Sequence, residues 1–249
     1  MALAACQKLE AKDATPAASG VQASADAAFG AKVRAYLLAH PEVIQEAVER
    51  LQANEEADQA AQEKAAAAKL PALRAAVERD PRDFVANPAG RVTVTEFYDY
   101  RCPHCINIAP KVVALIHARP DVRFVFKEMP IFGAVSQRAA KAALAVKKAG
   151  GDYLGLYQAL MSTRGLDEPT IDRLAAAHGA RPADIAANPA ADKQMADTAS
   201  LFAKLDLGGT PAFIVGDDIV YGEDMDAVAA AVAKAKRAEA RGQMQAARK

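Results

Sequence analysis

The stretch Val92-Thr-Val-Thr-Glu-Phe-Tyr-Asp-Tyr-Arg-Cys-Pro-His-Cys105 decides how this chain folds. Its opening run is β-branched and aromatic, which predicts a strand over 92–98. Beyond it, Ile108 to Ile116 carries apolar residues at helical spacing, with Val112, Leu115 and Ile116 on one side. A helix is therefore expected over 104–117. Pro103 falls at the first helical position, where its missing N–H costs nothing and its fixed φ suits the turn. Cys102 and Cys105, three apart across that turn, can meet disulfide geometry without strain. Cys102 also lies at the positive end of the helix dipole, which favours thiolate over thiol. The stretch predicts dithiol–disulfide chemistry.

Bulk properties narrow the classes. With 249 residues the chain can hold one large domain, or a medium domain with an appendage. Formal net charge is zero and the pI is about 6.9, so there is no electrostatic case for nucleic acid. No stretch approaches the roughly 18 apolar residues that span a bilayer. Three cysteines are too few for a disulfide-stapled scaffold. The third, Cys6, ends the string Leu3-Ala4-Ala5-Cys6, which resembles the close of a bacterial lipoprotein signal. Cys6 is thus a candidate lipidation site, although Met1-Ala2 supplies neither a charged n-region nor a long enough apolar one.

The chain divides by composition. Residues 1–28 carry few bulky apolar side chains and read as a disordered tether, a possible truncated lipoprotein signal. Residues 29–70 read as a helical arm. Val33, Tyr36, Leu37 and Leu38 form a patch ending at His40-Pro41, and Ile44, Val48 and Leu51 form a stripe beyond it. Such an arm must dock on the main domain or pair with copies of itself, and residues 30–52 are the candidate oligomerisation region. Pro71, Asp80-Pro81 and Pro88-Ala-Gly90 suggest a linker over 71–90. A globular domain is expected over 91–240, leaving a tail at 241–249. It opens strand–helix–strand, with the second strand at Val122 to Lys127. A helical insertion follows at about 135–205. Two short strands, Ala212 to Val215 and Ile219 to Tyr221, then flank a Gly216-Asp217-Asp218 turn, and a last helix runs from about Asp224 to Arg237.

This order, with Thr210-Pro211 ahead of the hairpin, resembles the DsbA family of thioredoxin-like thiol–disulfide oxidoreductases over roughly 91–237. The implied fold class is α/β, a thioredoxin-like fold with an inserted helical subdomain, plus the N-terminal arm. Val33 to Ala47, Phe126-Lys-Glu-Met-Pro-Ile-Phe-Gly133 and Gly209-Thr-Pro-Ala-Phe213 further resemble suppressor-of-copper-sensitivity protein C, the ScsC-like group.

The resemblance implies roles. Cys102 is the exposed attacking thiol and Cys105 the shielded resolving one, with His104 able to donate to the Cys102 sulfur. Pro103 and His104 form the dipeptide typical of a strong oxidant. Glu96 shares strand parity with Val92 and Val94, so its carboxylate faces the apolar side, and Lys127 on the neighbouring strand is its expected partner. In the family this pair lies beneath the active site, where the carboxylate helps move the buried thiol's proton. Pro211 is expected to be cis, with the backbone of Thr210 pairing to an extended client segment. Thr210 resembles isomerase- or reductase-type relatives, so the signal for direction is mixed. Implied partners are thiol- or disulfide-bearing clients and a membrane redox partner (DsbB-, DsbD- or ScsB-like), in the periplasm. No cofactor is expected, and zinc would want four ligands where only one CxxC exists. The alternative is Cu(I) binding by Cys102 and Cys105, with His104, in copper tolerance. His40, His117 and His178 read as caps or surface residues.

Overall fold

The computed structural model describes residues 19–246, so Cys6 and most of the expected tether lie outside the described residues. The chain divides into two compact units, one up to Asp58 and one from Gln59. In the first, helix α1 (Ser19–Ala39) is followed by the start of α2 (Glu42–Glu78). The break falls at His40-Pro41, as expected. Here the His40 N–H still reaches the Tyr36 carbonyl at 2.8 Å, while Pro41 has no N–H to continue the ladder. Phe29, Val33 and Tyr36 on α1, and Ile44, Val48 and Leu51 on α2, are exposed.

The second unit is built on a five-stranded sheet of order β1-β3-β2-β4-β5, from β1 (Phe84–Ala86), β2 (Val92–Tyr98), β3 (Val122–Glu128), β4 (Ala212–Val215) and β5 (Asp218–Tyr221). Only β2 and β3 are parallel, joined through α3 (Pro103–Ala118). Both strands are buried along their whole length, which explains their dense β-branched and aromatic composition. One face, with Val94, Tyr98, Phe124 and Phe126, packs with α3 and with part of the helical insertion. The opposite face, with Phe97, Ala212 and Ile214, packs with Ala66, Leu70 and Val77 of α2 and with Leu201 and Leu205.

The insertion comprises α4 (Ala134–Lys148), α5 (Tyr153–Ser162), α6 (Glu168–Ala177), α7 (Pro182–Ala186) and α8 (Pro189–Leu205). Its breaks follow local chemistry. Asp152, Asp167 and Asn188 cap α5, α6 and α8 by accepting N–H groups of the first turn. Pro169, Pro182 and Pro189 sit at first-turn positions, where they start helices rather than interrupt them. A last helix, α9 (Met225–Ala246), extends past the expected end at Arg237 because the alanine-rich sequence there continues to favour helix.

Residues 71–90 are not a linker. Helix α2 runs through Pro71 to Glu78, and β1 pairs antiparallel with β3. An interior proline costs about 3 kcal/mol, because the Ala67 carbonyl loses its donor. Burial of Leu70 and Val77 on either side, each worth about 1.5–3 kcal/mol, offsets that cost. The last carbonyls of α2 are closed by side chains from the sheet. Lys127 Nζ reaches the Ala76 carbonyl at 2.7 Å, Thr95 Oγ1 the Val77 carbonyl at 3.3 Å, and an Arg123 guanidinium nitrogen the Glu78 carbonyl at 2.6 Å. Cations at a helix C-terminus also complement its dipole.

Candidate active site

Helix α3 begins as its sequence dictates. Cys102 is the extended N-cap residue and Pro103 occupies the first turn. No side chain caps this end, so first-turn N–H groups are left for the cysteine sulfur. Both cysteines are free thiols, and the Thr210–Pro211 peptide bond is cis, as expected. While it holds its proton, the Cys102 Sγ donates to the Thr210 carbonyl at 3.2 Å. That loop covers the sulfur: Cys102 is only 2% exposed and Cys105 0%, so the attacking thiol is not the open group that the family resemblance implied.

The two thiols are electrostatically unequal. A hydrogen bond from the Cys105 thiol brings Cys102 down to about 5, against the opposing cost of burial. The nearby Thr210 side chain and the backbone N–H groups of Cys105 and His104 lower it further. Cys105 is pushed upward by Cys102 first, then by burial and by the charge of Glu96. One thiol is a thiolate at neutral pH and the other holds its proton. The Thr210 hydroxyl is buried and has no hydrogen-bond partner among the described residues, which leaves it free to turn to the thiolate. Thr210→Val should therefore raise the Cys102 midpoint by about one unit in a thiolate absorbance titration. An unchanged midpoint would show that the hydroxyl does not reach the sulfur.

Glu96 is fully buried on the side of the sheet that meets α3, as strand parity predicted. Its expected partner is not there. The parallel register sets Lys127 opposite Phe97, so Lys127 points to the other face of the sheet. It forms an ion pair with Asp83 at 2.5 Å and closes the end of α2. Neither Glu96 oxygen has a hydrogen-bond partner among the described residues, and burial alone pushes the carboxyl up to about 8. A second buried carboxylate, Glu128, is better served. The Tyr153 hydroxyl donates to it, and Tyr98 joins Tyr153 and Tyr100 through 2.8 Å contacts. Of the two, Glu96 is the one without a hydrogen-bond partner among the described residues, and its charge acts on Cys105.

Sequence reading missed three supporting residues. Asp99 accepts the Arg101 N–H at 2.6 Å and, through its other oxygen, the Ile131 and Phe132 N–H groups at 2.6 and 3.0 Å. It thereby fixes the exposed apolar pair Ile131 and Phe132 near the thiol helix. An aspartate two residues before a turn N–H is an Asx-turn signal and could have been read. Asp83 and Glu223 carried no local signal. Glu223 accepts from His104 Nδ1 at 2.7 Å, so the ring is not bonded to the Cys102 sulfur through that nitrogen. A cavity of about 900 Å³ opens beside α3, lined by Tyr100, Arg101, Ile106, Ala109, Met161 and Arg164 among others. Among the described residues, no group of three His, Cys, Asp or Glu side chains is arranged to hold a metal.

Residues 93–233, spanning this site and the insertion, match the DSBA-like thioredoxin domain family. The chain belongs to the DsbA-like family of thiol–disulfide oxidoreductases. Residues 26–58 match the copper resistance protein ScsC N-terminal domain. Among solved structures, this DsbA-like chain is similar to a thioredoxin-like oxidoreductase from Silicibacter pomeroyi at 36% identity and a TM-score of 0.62, covering 66% of this chain and 98% of that one. It is also similar to BcfH from Salmonella enterica Typhimurium at 30% identity and a TM-score of 0.62, covering 89% and 100%. Proteus mirabilis ScsC in a transitional conformation is 28% identical with a TM-score of 0.60, covering 86% and 97%. No match was found among curated proteins.

Proposed function

We propose that this chain forms or isomerises disulfides in exported proteins through Cys102 and Cys105. The observation that carries this reading is the pair of unequal thiols at one helix start, beneath the Thr210–Pro211 loop. In the oxidised protein a client thiolate attacks the Cys102 sulfur. The Cys102–Cys105 bond breaks, and Cys105 leaves as thiolate and takes a proton from the Glu96 carboxyl. A second client thiolate then attacks the client sulfur of the mixed disulfide, and Cys102 departs as a stabilised thiolate. In the reduced protein the Cys102 thiolate opens a client disulfide. Cys105 then gives its proton to the Glu96 carboxylate and attacks Cys102, releasing the client thiolate. The same residues serve both directions, so the redox state in which a membrane partner keeps the pair decides which one runs.

The test is turnover by metal-free protein on a reduced and on a scrambled disulfide client. Reactivation of either supports the reading, and activity on neither contradicts it. An oxidising compartment such as the periplasm follows from the chemistry, since client disulfides persist there. Among the described residues no helix is long and apolar enough to cross a membrane. Lipid attachment at Cys6 remains a proposal tested by mass spectrometry.

Self-association through residues 30–52 is supported by two matching stripes. Residues 29, 33 and 36 and residues 44, 48 and 51 repeat one i, i+4, i+7 pattern, and all six side chains are exposed. Removing residues 1–52 should lower the solution mass to that of one truncated chain by light scattering. An oligomer that survives the deletion would refute the role of the arm.

A further inference from the structure

We propose that Glu223 sets the oxidising power of the thiol pair by holding the His104 imidazole in its charged form beside Cys102. The proposal rests on the exchange chemistry given above and adds a positioning residue to it. Glu223 lies in the turn between β5 and α9 and reaches across to the start of α3. There one carboxylate oxygen accepts from His104 Nδ1 at 2.7 Å and from Asn107 Nδ2 at 3.2 Å. Asn107 is one helical turn beyond His104's neighbour Pro103, so the carboxylate is held between two successive turns of α3. The turn that carries Glu223 is itself fixed. The Gly222 N–H donates to the Pro211 carbonyl at 3.0 Å, and the Asp224 side chain accepts the Ala227 N–H at 2.8 Å at the start of α9. Glu223 is thereby tied to the same cis-proline loop that covers Cys102.

The charged groups facing His104 are few. Cys102 lies on its own helix and Glu223 on the facing turn, with Lys111 further along α3 acting on Glu223. Glu223 and the Cys102 thiolate both favour the imidazolium, the carboxylate more strongly. The imidazolium in turn favours thiolate over disulfide, which makes the disulfide the better oxidant. Without Glu223 the ring returns toward its ordinary value of about 6.5 and is neutral above it. Because both groups are partly exposed, with side chains 67% and 39% accessible, solvent screens the effect.

The experiment equilibrates the full chain and its Glu223→Gln variant with glutathione, near pH 7 and near pH 5.5. Near pH 7, just above the ordinary imidazole value, the variant should be a weaker oxidant by about threefold in the equilibrium constant. Near pH 5.5, where the imidazole is protonated unaided, that gap should close, and the His104 ring should titrate lower in the variant by NMR. Equal constants at both pH values, the same shift at both, or an unmoved His104 midpoint would overturn the proposal. A wild-type chain that reaches no dithiol–disulfide equilibrium would overturn the exchange reading itself and this inference with it.

Discussion

Cys105→Ser is expected to accumulate a covalent adduct between Cys102 and client proteins. In the wild type, Cys105 waits one helical turn away from the attacked sulfur, and resolution is intramolecular. Such placement is worth an effective concentration of about 10⁵ M or more, so losing it slows release by at least about a thousandfold. Serine keeps a hydroxyl that can still donate to the Cys102 thiolate, so the first attack survives. Cys105→Ala removes that donor, the largest contribution to the acidity of Cys102, and should react more slowly at acid pH. Diagonal gels of cell extracts read the outcome. Adducts that form with Cys105→Ser and vanish with Cys102→Ser support the assigned order of attack. Adducts that persist without Cys102 would contradict it.

Glu96→Gln should change both stability and rate, each with its own pH dependence. A carboxyl raised to about 8 in the fold, against about 4.3 in the unfolded chain, keeps its proton longer when folded. The wild type therefore loses stability as pH rises from about 4.3 to about 8, and loses no more beyond that. The span corresponds to a few kcal/mol, at most about 5. Gln has a similar shape and does not ionise, so its stability relative to wild type should climb across that window in urea melts. A constant difference from pH 4 to 9 would show that Glu96 does not titrate in the fold. In stopped-flow, removing the base should slow resolution by Cys105 about tenfold to a hundredfold. Attack by Cys102, which is already a thiolate at neutral pH, should be nearly untouched.

Much of the site could be read from sequence because its signals are local. The strand over 92–98, the cysteines across one turn and Pro103 at the helix start need only short-range rules. The burial of Glu96 followed from alternation along one strand. Its pairing with Lys127 failed because that depends on the register between two strands, which neither strand encodes alone. The linker expected at 71–90 failed for a related reason. Proline usually marks a boundary, but tertiary burial of Leu70 and Val77 carries α2 through Pro71, and three residues are too few to signal β1. Glu223 lies 119 positions from His104, and only the folded hairpin brings them together. The break within the arm at His40-Pro41 was legible, since there a single residue ends the ladder.

The account stands on one asymmetry, an acidic Cys102 beside a Cys105 that keeps its proton. Its most direct test follows thiolate absorbance of the reduced protein with pH, while brief alkylation and peptide mapping identify the reactive residue. The account predicts one transition near pH 5, with all early label on Cys102. A first transition near the ordinary thiol value of about 8.5, or early label on Cys105, would contradict it.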